Sequence, residues 1–251
     1  MDMDPSIAPF ISTLDDARER FQAAERICVF SGAGMSAESG VPTYRGQGGI
    51  WAEYRYEEYA CQEAFERAPE QVWEFHRKRR VAVAACAPHA GHFALASAAS
   101  RKPGLRIITQ NIDGMHQRVG HRDVVELHGS LWRLRCDACQ RVEVNLEAEI
   151  PDINHDCGAF WRPDITWFGD SLDGAVFEEA RALIASCDVF IAVGTSGVVY
   201  PAAGLPSFAR ECGAWLVEVN PESTPISHIC HAQIPLKASK VLSYVCAEGV
   251  G

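Results

Sequence analysis

The sequence predicts an α/β fold in which a doubly wound, mainly parallel sheet carries a small inserted module, and three observations support this. Short apolar runs alternate along the chain with stretches of helical period, an order that builds parallel sheets covered by helices on both faces. The runs end in Gly, Asn, Gln or His, which suits strand tips, beyond which such sheets bind their ligands. Over residues 134–168 the alternation gives way to paired cysteines and prolines with little helical period.

In chain order, residues 12–26 have helix-forming composition, with Leu14, Ala17 and Phe21 on one face and Ser12 or Thr13 as the expected cap. That helix should feed a strand over 27–31, and further strands are expected at 105–109, 124–127, 189–193 and 215–219. Helical stretches lie between them at 69–85, 89–100, 172–186 and 202–211. The main domain is therefore assigned to residues 1–133 and 170–251, and the module to 134–169.

Composition narrows the class. A chain of 251 residues, 47% hydrophobic and 22% charged, can bury one sizeable core or a main domain plus a small module. No run approaches the roughly 18 apolar residues that span a bilayer, so no membrane is expected as a partner. The start MDMDPSIAPF lacks the basic region of a secretory signal, and the expected location is the cytoplasm. A formal charge of -10 argues against nucleic acid as a direct partner and is compatible with a basic protein tail. Among the ten cysteines, Cys28, Cys187, Cys230 and Cys246 stand singly in apolar runs and read as reduced, buried thiols.

Three blocks carry chemistry. Gly32-Ala33-Gly34 follows a strand, where glycine lets backbone N–H groups approach a pyrophosphate. The GK[ST] ending of a P-loop is absent, and Ala37 takes the last glycine position of a dinucleotide fingerprint. Residues 40–45, Gly-Val-Pro-Thr-Tyr-Arg, then begin a loop whose ring and fixed cation suit the covering of a dinucleotide. In the second block, Gln110, Asn111 and Asp113 can hydrogen-bond an amide, a ribose and a water. The third presents His128 beside Gly129 at a strand tip. Taken singly, each block also fits a plain role: a strand-to-helix turn, a surface loop, or a structural histidine.

Taken together, the blocks resemble the sirtuins, the NAD-dependent protein deacylases. GAGMSAESGVPTYR, TQNIDGMH, ELHGS, CDAC, RPDITWFGD, GTSGVVYPAAGLP and VEVNPES occur in the family's order from about Phe30 to Asn220. The resemblance implies a Rossmann-like doubly wound sheet with a zinc-ribbon-like insertion, and NAD held by Gly32, Ala33, Gly34, Ser36, Tyr44 and Arg45 of a mobile loop. It also implies Gln110, Asn111 and Asp113 around nicotinamide and its ribose, with Asn111 and Asp113 sharing the catalytic site with His128. Gly194, Thr195 and Ser196, then Asn220, Pro221 and Glu222, would hold phosphate and adenosine ribose, and Ala238 would meet adenine.

In the family's reaction the acyl oxygen of an acyl-lysine attacks the ribose carbon that bears nicotinamide. A histidine, here His128, deprotonates a ribose hydroxyl, and free lysine and O-acyl-ADP-ribose result. Residues 165–170 match the substrate loop, in which Phe168 and Gly169, with Val198 opposite, would flank an acyl-lysine peptide bound as an added strand. The alternatives are ADP-ribosylation of a protein acceptor, NAD cleavage, or non-enzymatic NAD sensing. A monomer is expected.

The chain departs from the family at two places. Zinc is expected from two Cys-x-x-Cys pairs, but only Cys136 and Cys139 form one. Cys157 has Asn154 at its partner position and His155 one residue later, so either His155 completes a structural zinc site or the cysteines are plain thiols. The second departure lies in residues 72–80, which match the segment where class III, desuccinylase-like sirtuins bind succinyl or malonyl groups through Tyr-x-x-Arg. Arg79 matches the arginine, but His76 replaces the tyrosine. Their i, i+3 spacing shares a helix face; a protonated His76 would strengthen carboxylate binding, and Tyr56 could supply the missing phenol. A solvated basic face is the other reading of this run, so acetyl and acidic acyl groups stay level.

Overall fold

The computed structural model describes residues 5–44, 49–150 and 152–248. Among them the strands, in chain order, are β1 (Ile27–Ser31), β2 (Leu105–Thr109), β3 (Val124–Glu126), β4 (Gly129–Arg135), β5 (Val142–Val144), β6 (Arg162–Ile165), β7 (Val189–Val193), β8 (Trp215–Val219) and β9 (Ala232–Ile234). Six of these form a parallel sheet in the order β3-β2-β1-β7-β8-β9. β1 lies at its centre, with Ile27 in register with both Leu105 and Val189. The chain order reverses direction there, so β1 marks the switch point at which such sheets open a crevice.

β1 and β7 are buried along their whole length, which is why they read as unbroken apolar runs. On one face Ile27, Val29, Ile107 and Ile191 pack beneath helices Ile11–Ala23, Ala90–Arg101 and Ala238–Val245. On the other, Phe30 and Phe190, with ring centroids 5.8 Å apart, pack beneath helices Gly174–Ala185 and Leu205–Glu211.

The small sheet is antiparallel, in the order β5-β4-β6. β4 begins one residue after His128, so this sheet grows directly from the tip of the large one. Gly129 makes that junction with φ of +74°, and a Cβ there would stand 2.1 Å from the Asp164 carbonyl oxygen. A third apolar cluster, including Trp73, Leu131, Trp161 and Trp167, joins the small sheet to helix Pro69–Ala85.

Some expectations need correction. The first helix is entered from a 3-10 turn at Ala8–Phe10, which makes Phe10 the cap residue, so Ser12 and Thr13 lie inside the first turn and cap nothing. The stretch 202–211 divides into a 3-10 turn, Ala202–Gly204, and the helix Leu205–Glu211. β9, three residues long, is too short to show a period, whereas the unexpected helix Ala238–Val245 buries Ala238, Val241, Leu242 and Val245, an i, i+3, i+4, i+7 pattern that the sequence does carry.

Candidate functional site

A cleft of about 680 Å³ opens at the carboxyl ends of the parallel strands. On one side Gly32 caps the short helix Ala33–Ala37, directly after β1. A Cβ on Gly32 would stand 2.7 Å from the Gly194 carbonyl oxygen, and one on Gly34 2.8 Å from the Gly194 Cα. These glycines let the loop lie flat on the tip of β7, leaving its backbone along the cleft wall.

Polar side chains lock the tips together. Gln110 Nε2 donates to Thr195 Oγ1 at 2.8 Å, and Asn220 Nδ2 donates to the Thr195 carbonyl at 2.9 Å. Asn111 Nδ2 donates to the Gly32 carbonyl at 3.0 Å and to Ser36 Oγ at 3.3 Å. Asp113 sits behind the wall and accepts from the Met115 N–H at 2.9 Å. Burial raises its carboxyl pKa, against the Met115 N–H and the Ser36 hydroxyl, which lower it.

His128 faces the cleft from the turn between β3 and β4. Its Nδ1 lies 2.9 Å from the Gln110 carbonyl oxygen. A carbonyl only accepts, so Nδ1 carries the proton and Nε2 keeps its lone pair. Burial lowers the imidazole pKa, partly offset by the Gln110 bond, so the base form holds at neutral pH.

The opposite side is built by the loop after β6. The Thr166 N–H donates to the His128 carbonyl at 3.0 Å and the Phe168 N–H to the Ala60 carbonyl at 3.0 Å. Trp167, Phe168 and Gly169 line the cleft there, facing Val199 and Tyr200. Deeper in, His76 and Arg79 line the same cleft, as one helix face requires.

Three sequence expectations fail at this pocket. His76 is fully buried, and burial, then the Arg79 charge, pushes its pKa down to about 3. It is therefore neutral, and the protonated His76 that would strengthen carboxylate binding does not exist near pH 7. Tyr56 is also absent from the cleft wall, its ring packing on Phe168 at 4.4 Å. The phenol beside Arg79 belongs to Tyr44, whose hydroxyl accepts from Arg79 Nη2 at 2.6 Å. Nor is the run 77–80 one solvated face: Arg77 reaches the Ile150 carbonyl at 2.7 Å, and buried Arg80 binds the carbonyls of Leu131, Asn145 and Glu147.

Of the other candidates, Gly32, Ala33, Gly34, Tyr44, Gln110, Asn111, Gly194, Thr195, Ser196, Asn220 and Glu222 line the cleft. Ser36 touches Asn111 from behind, and Ala238 does not line the cleft but begins a helix whose Ser239 donates to Glu38, just past the glycine-loop helix. Pro221 and Val198 do not line the cleft, whereas their neighbours Glu222 and Val199 do. Arg45 lies outside the described residues. Sequence reasoning missed Ser223, Thr224 and Pro225, which line the cleft next to Glu222; their position after the β8 tip was the available signal.

In the module, the donor atoms of Cys136, Cys139, His155 and Cys157 all lie within 4.8 Å of one another. Cys136 Sγ is 3.5 Å from Cys157 Sγ, and Cys139 Sγ is 3.2 Å from His155 Nε2. A tetrahedral zinc with Zn–S bonds of about 2.3 Å has S···S edges of roughly 3.8 Å, so three sulfurs and one imidazole are compatible with structural zinc. Asn154 is held elsewhere, its Nδ2 donating to Asp152 Oδ1 at 2.6 Å, while the His155 ring stacks on Trp161 at 4.2 Å.

Residues 32–201 match the model of the Sir2 family. The chain is 45% identical over 229 residues to "NAD-dependent protein deacylase 2" of Pyrobaculum aerophilum, covering 90% of this chain and 92% of that protein. Among solved structures it resembles a Sir2 homologue mutant in complex with ADP ribose, with TM-score 0.87, 36% identity, and coverage of 97% and 95% of the two chains. It also resembles a Sir2 mutant with a deacetylated p53 peptide and 3'-O-acetyl ADP ribose, at TM-score 0.83 and 29% identity, covering 92% and 96%.

Proposed function

The chain belongs to the Sir2 family, and we infer from that membership and from its cleft that it is an NAD-dependent protein-lysine deacylase. Its products are nicotinamide, O-acyl-ADP-ribose and free lysine, and its substrates are acylated lysine side chains of peptides or proteins. The observation that carries the reading is the placement of His128, with Nδ1 tied to the Gln110 carbonyl between a glycine-walled nucleotide side and an aromatic substrate side.

When bound, NAD supplies an electrophilic ribose carbon with nicotinamide as its leaving group. The chain's own task is placement and proton transfer. The glycine loop and the tips of β7 and β8 hold the nucleotide, with Gln110 and Asn220 both fixing Thr195. His128 Nε2 accepts a proton from a hydroxyl in the cleft, a step worth about 100- to 10,000-fold when the base is well placed. Trp167 and Phe168 exclude water from the acyl-lysine and hold it in reach.

Arg79 is the residue that would favour acyl groups ending in a carboxylate, such as succinyl or malonyl, since its guanidinium lines the cleft and offers charge-assisted hydrogen bonds. Neutral His76 can add one N–H donor. Acetyl-lysine, which has no use for Arg79, is accepted in the same cleft.

The test is incubation with NAD and paired acetyl-lysine and succinyl-lysine peptides, with both deacylated peptide and O-acyl-ADP-ribose followed by mass spectrometry. The reading requires acyl transfer to ADP-ribose. Loss of succinyl turnover in Arg79→Met, with acetyl turnover kept, supports the acidic pocket. Consumption of NAD with neither peptide deacylated overturns the deacylase reading in favour of ADP-ribosyl transfer or NAD cleavage.

A further inference from the structure

Arg162, at the start of β6, is almost fully buried and points between the metal-binding residues and the substrate side of the cleft. Its Nη1 lies 2.7 Å from Gln62 Oε1 and 3.4 Å from Asp137 Oδ2. Asp137 sits between Cys136 and Cys139, and its other oxygen accepts from Arg135 Nε at 2.9 Å. The Nη2 group faces the opposite way, donating to the Ile165 carbonyl at 3.0 Å and to Asp170 Oδ2 at 3.1 Å.

The substrate loop hangs on that second set. Asp170 Oδ2 also accepts from the Trp167 N–H at 3.1 Å, closing residues 167–170 into a tight turn. The Arg162 guanidinium carbon lies 3.6 Å from the centroid of the Trp167 ring, a cation–π contact that fixes the ring plane. Trp167 is buried in the cleft wall, and its indole Nε1 has no partner among the described residues. One guanidinium fork thus binds the metal knuckle with one nitrogen and sets the backbone and ring of the substrate loop with the other.

We propose that Arg162 is a positioning residue for the acyl-lysine substrate and that it transmits the geometry of the Cys136–Cys139 knuckle to the Trp167 loop. A guanidinium suits this task because its planar fork fixes two directions at once, which an ammonium does not. With the fork gone, Asp170 keeps the Trp167 N–H but loses its cation, and the ring loses the charge behind it. The nucleotide side, built on the tips of β1, β7 and β8, makes none of these contacts. The inference rests on the deacylase reading for the identity of the ligand.

The experiment uses wild type, Arg162→Lys and Asp137→Asn, each assayed for zinc content and for folding by far-UV circular dichroism. Acetyl-lysine peptide is titrated into each by calorimetry without NAD, and KM values for peptide and NAD are measured separately. Arg162→Lys should weaken peptide binding about tenfold, the size expected for losing one buried charge-assisted hydrogen bond. Asp137→Asn, on an exposed residue, should weaken it roughly threefold, less than a full charge-assisted bond because Asp137 acts through Arg162. In both, KM for NAD and zinc content stay at the wild-type values. Peptide binding as tight as wild type in both variants, or equal losses for peptide and NAD, overturns the proposal. A wild type that neither binds nor deacylates the peptide instead overturns the deacylase reading itself.

Discussion

The nucleotide side of the cleft stands on strands buried on both faces, whereas the substrate side hangs from a three-stranded sheet whose outer strand is largely in solvent. In β7 every residue is buried; in β5, Val142 and Val144 are 51% and 67% exposed. The large sheet is held by apolar packing. The small one shares an apolar cluster with helix Pro69–Ala85 and adds directed polar contacts: Arg80 on three carbonyls, Arg133 between Glu126 and Asp164, Arg162 between Asp137 and Asp170, and a Cys3His cluster. The reaction therefore takes place at a seam, with a rigid frame offering the base and the nucleotide, and a stapled module offering the substrate.

The largest expected effect lies on the rigid side. His128→Ala should lower kcat roughly 100- to 10,000-fold while leaving the melting temperature near wild type; activity within threefold of wild type would remove the base from the frame. Because burial holds the His128 pKa below its ordinary value, wild-type kcat/KM should stay level down to about pH 6.5 and fall only below it, as the base becomes protonated.

Stability should divide in the same way. Phe190→Ala, the second residue of β7 and packed against Phe30, should cost about 3–5 kcal/mol in urea unfolding. A cost below 1 kcal/mol would deny that the large sheet carries the stability.

Protonation gives an effect that is smaller per residue and is shared by both regions. Burial first, then neighbouring charges, pushes His76 and His116 down to about 3 and His92 to about 2. With folded pKa values below the unfolded value near 6.5, the unfolded chain binds more protons as pH falls. Stability is thus fully present above pH 6.5 and is lost progressively towards the folded values. Each histidine should cost about 2 kcal/mol between pH 6.5 and pH 5, and identical urea midpoints at pH 7.5 and pH 5 would contradict this.

The smallest effect belongs to the exposed edge. Val144→Thr should change stability by no more than about 0.5 kcal/mol, and a large loss would mean that β5 is packed after all.

The same contrast governs what could be read from the sequence. The buried strands announced themselves as apolar runs, and the tips announced themselves through Gly32, Gln110, His128, Gly194 and Asn220, because burial on both faces and sharp turns restrict local composition. The module's determinants are long-range pairings that leave no local pattern. Tyr44 meets Arg79 across 35 positions, so sequence reasoning chose Tyr56 instead. His155 rather than Asn154 turns to the cysteines because Asp152 holds the asparagine and Trp161 holds the imidazole ring. Charge state was equally hidden: nothing local in the sequence signals that His76 is sealed in and neutral.

The most direct test of the seam is to strip metal from the protein with a chelator and titrate ADP-ribose and acetyl-lysine peptide separately by calorimetry. Nucleotide binding should survive at its original affinity while peptide binding collapses. Loss of both together would show that the frame and the module are one unit, and the division would be wrong.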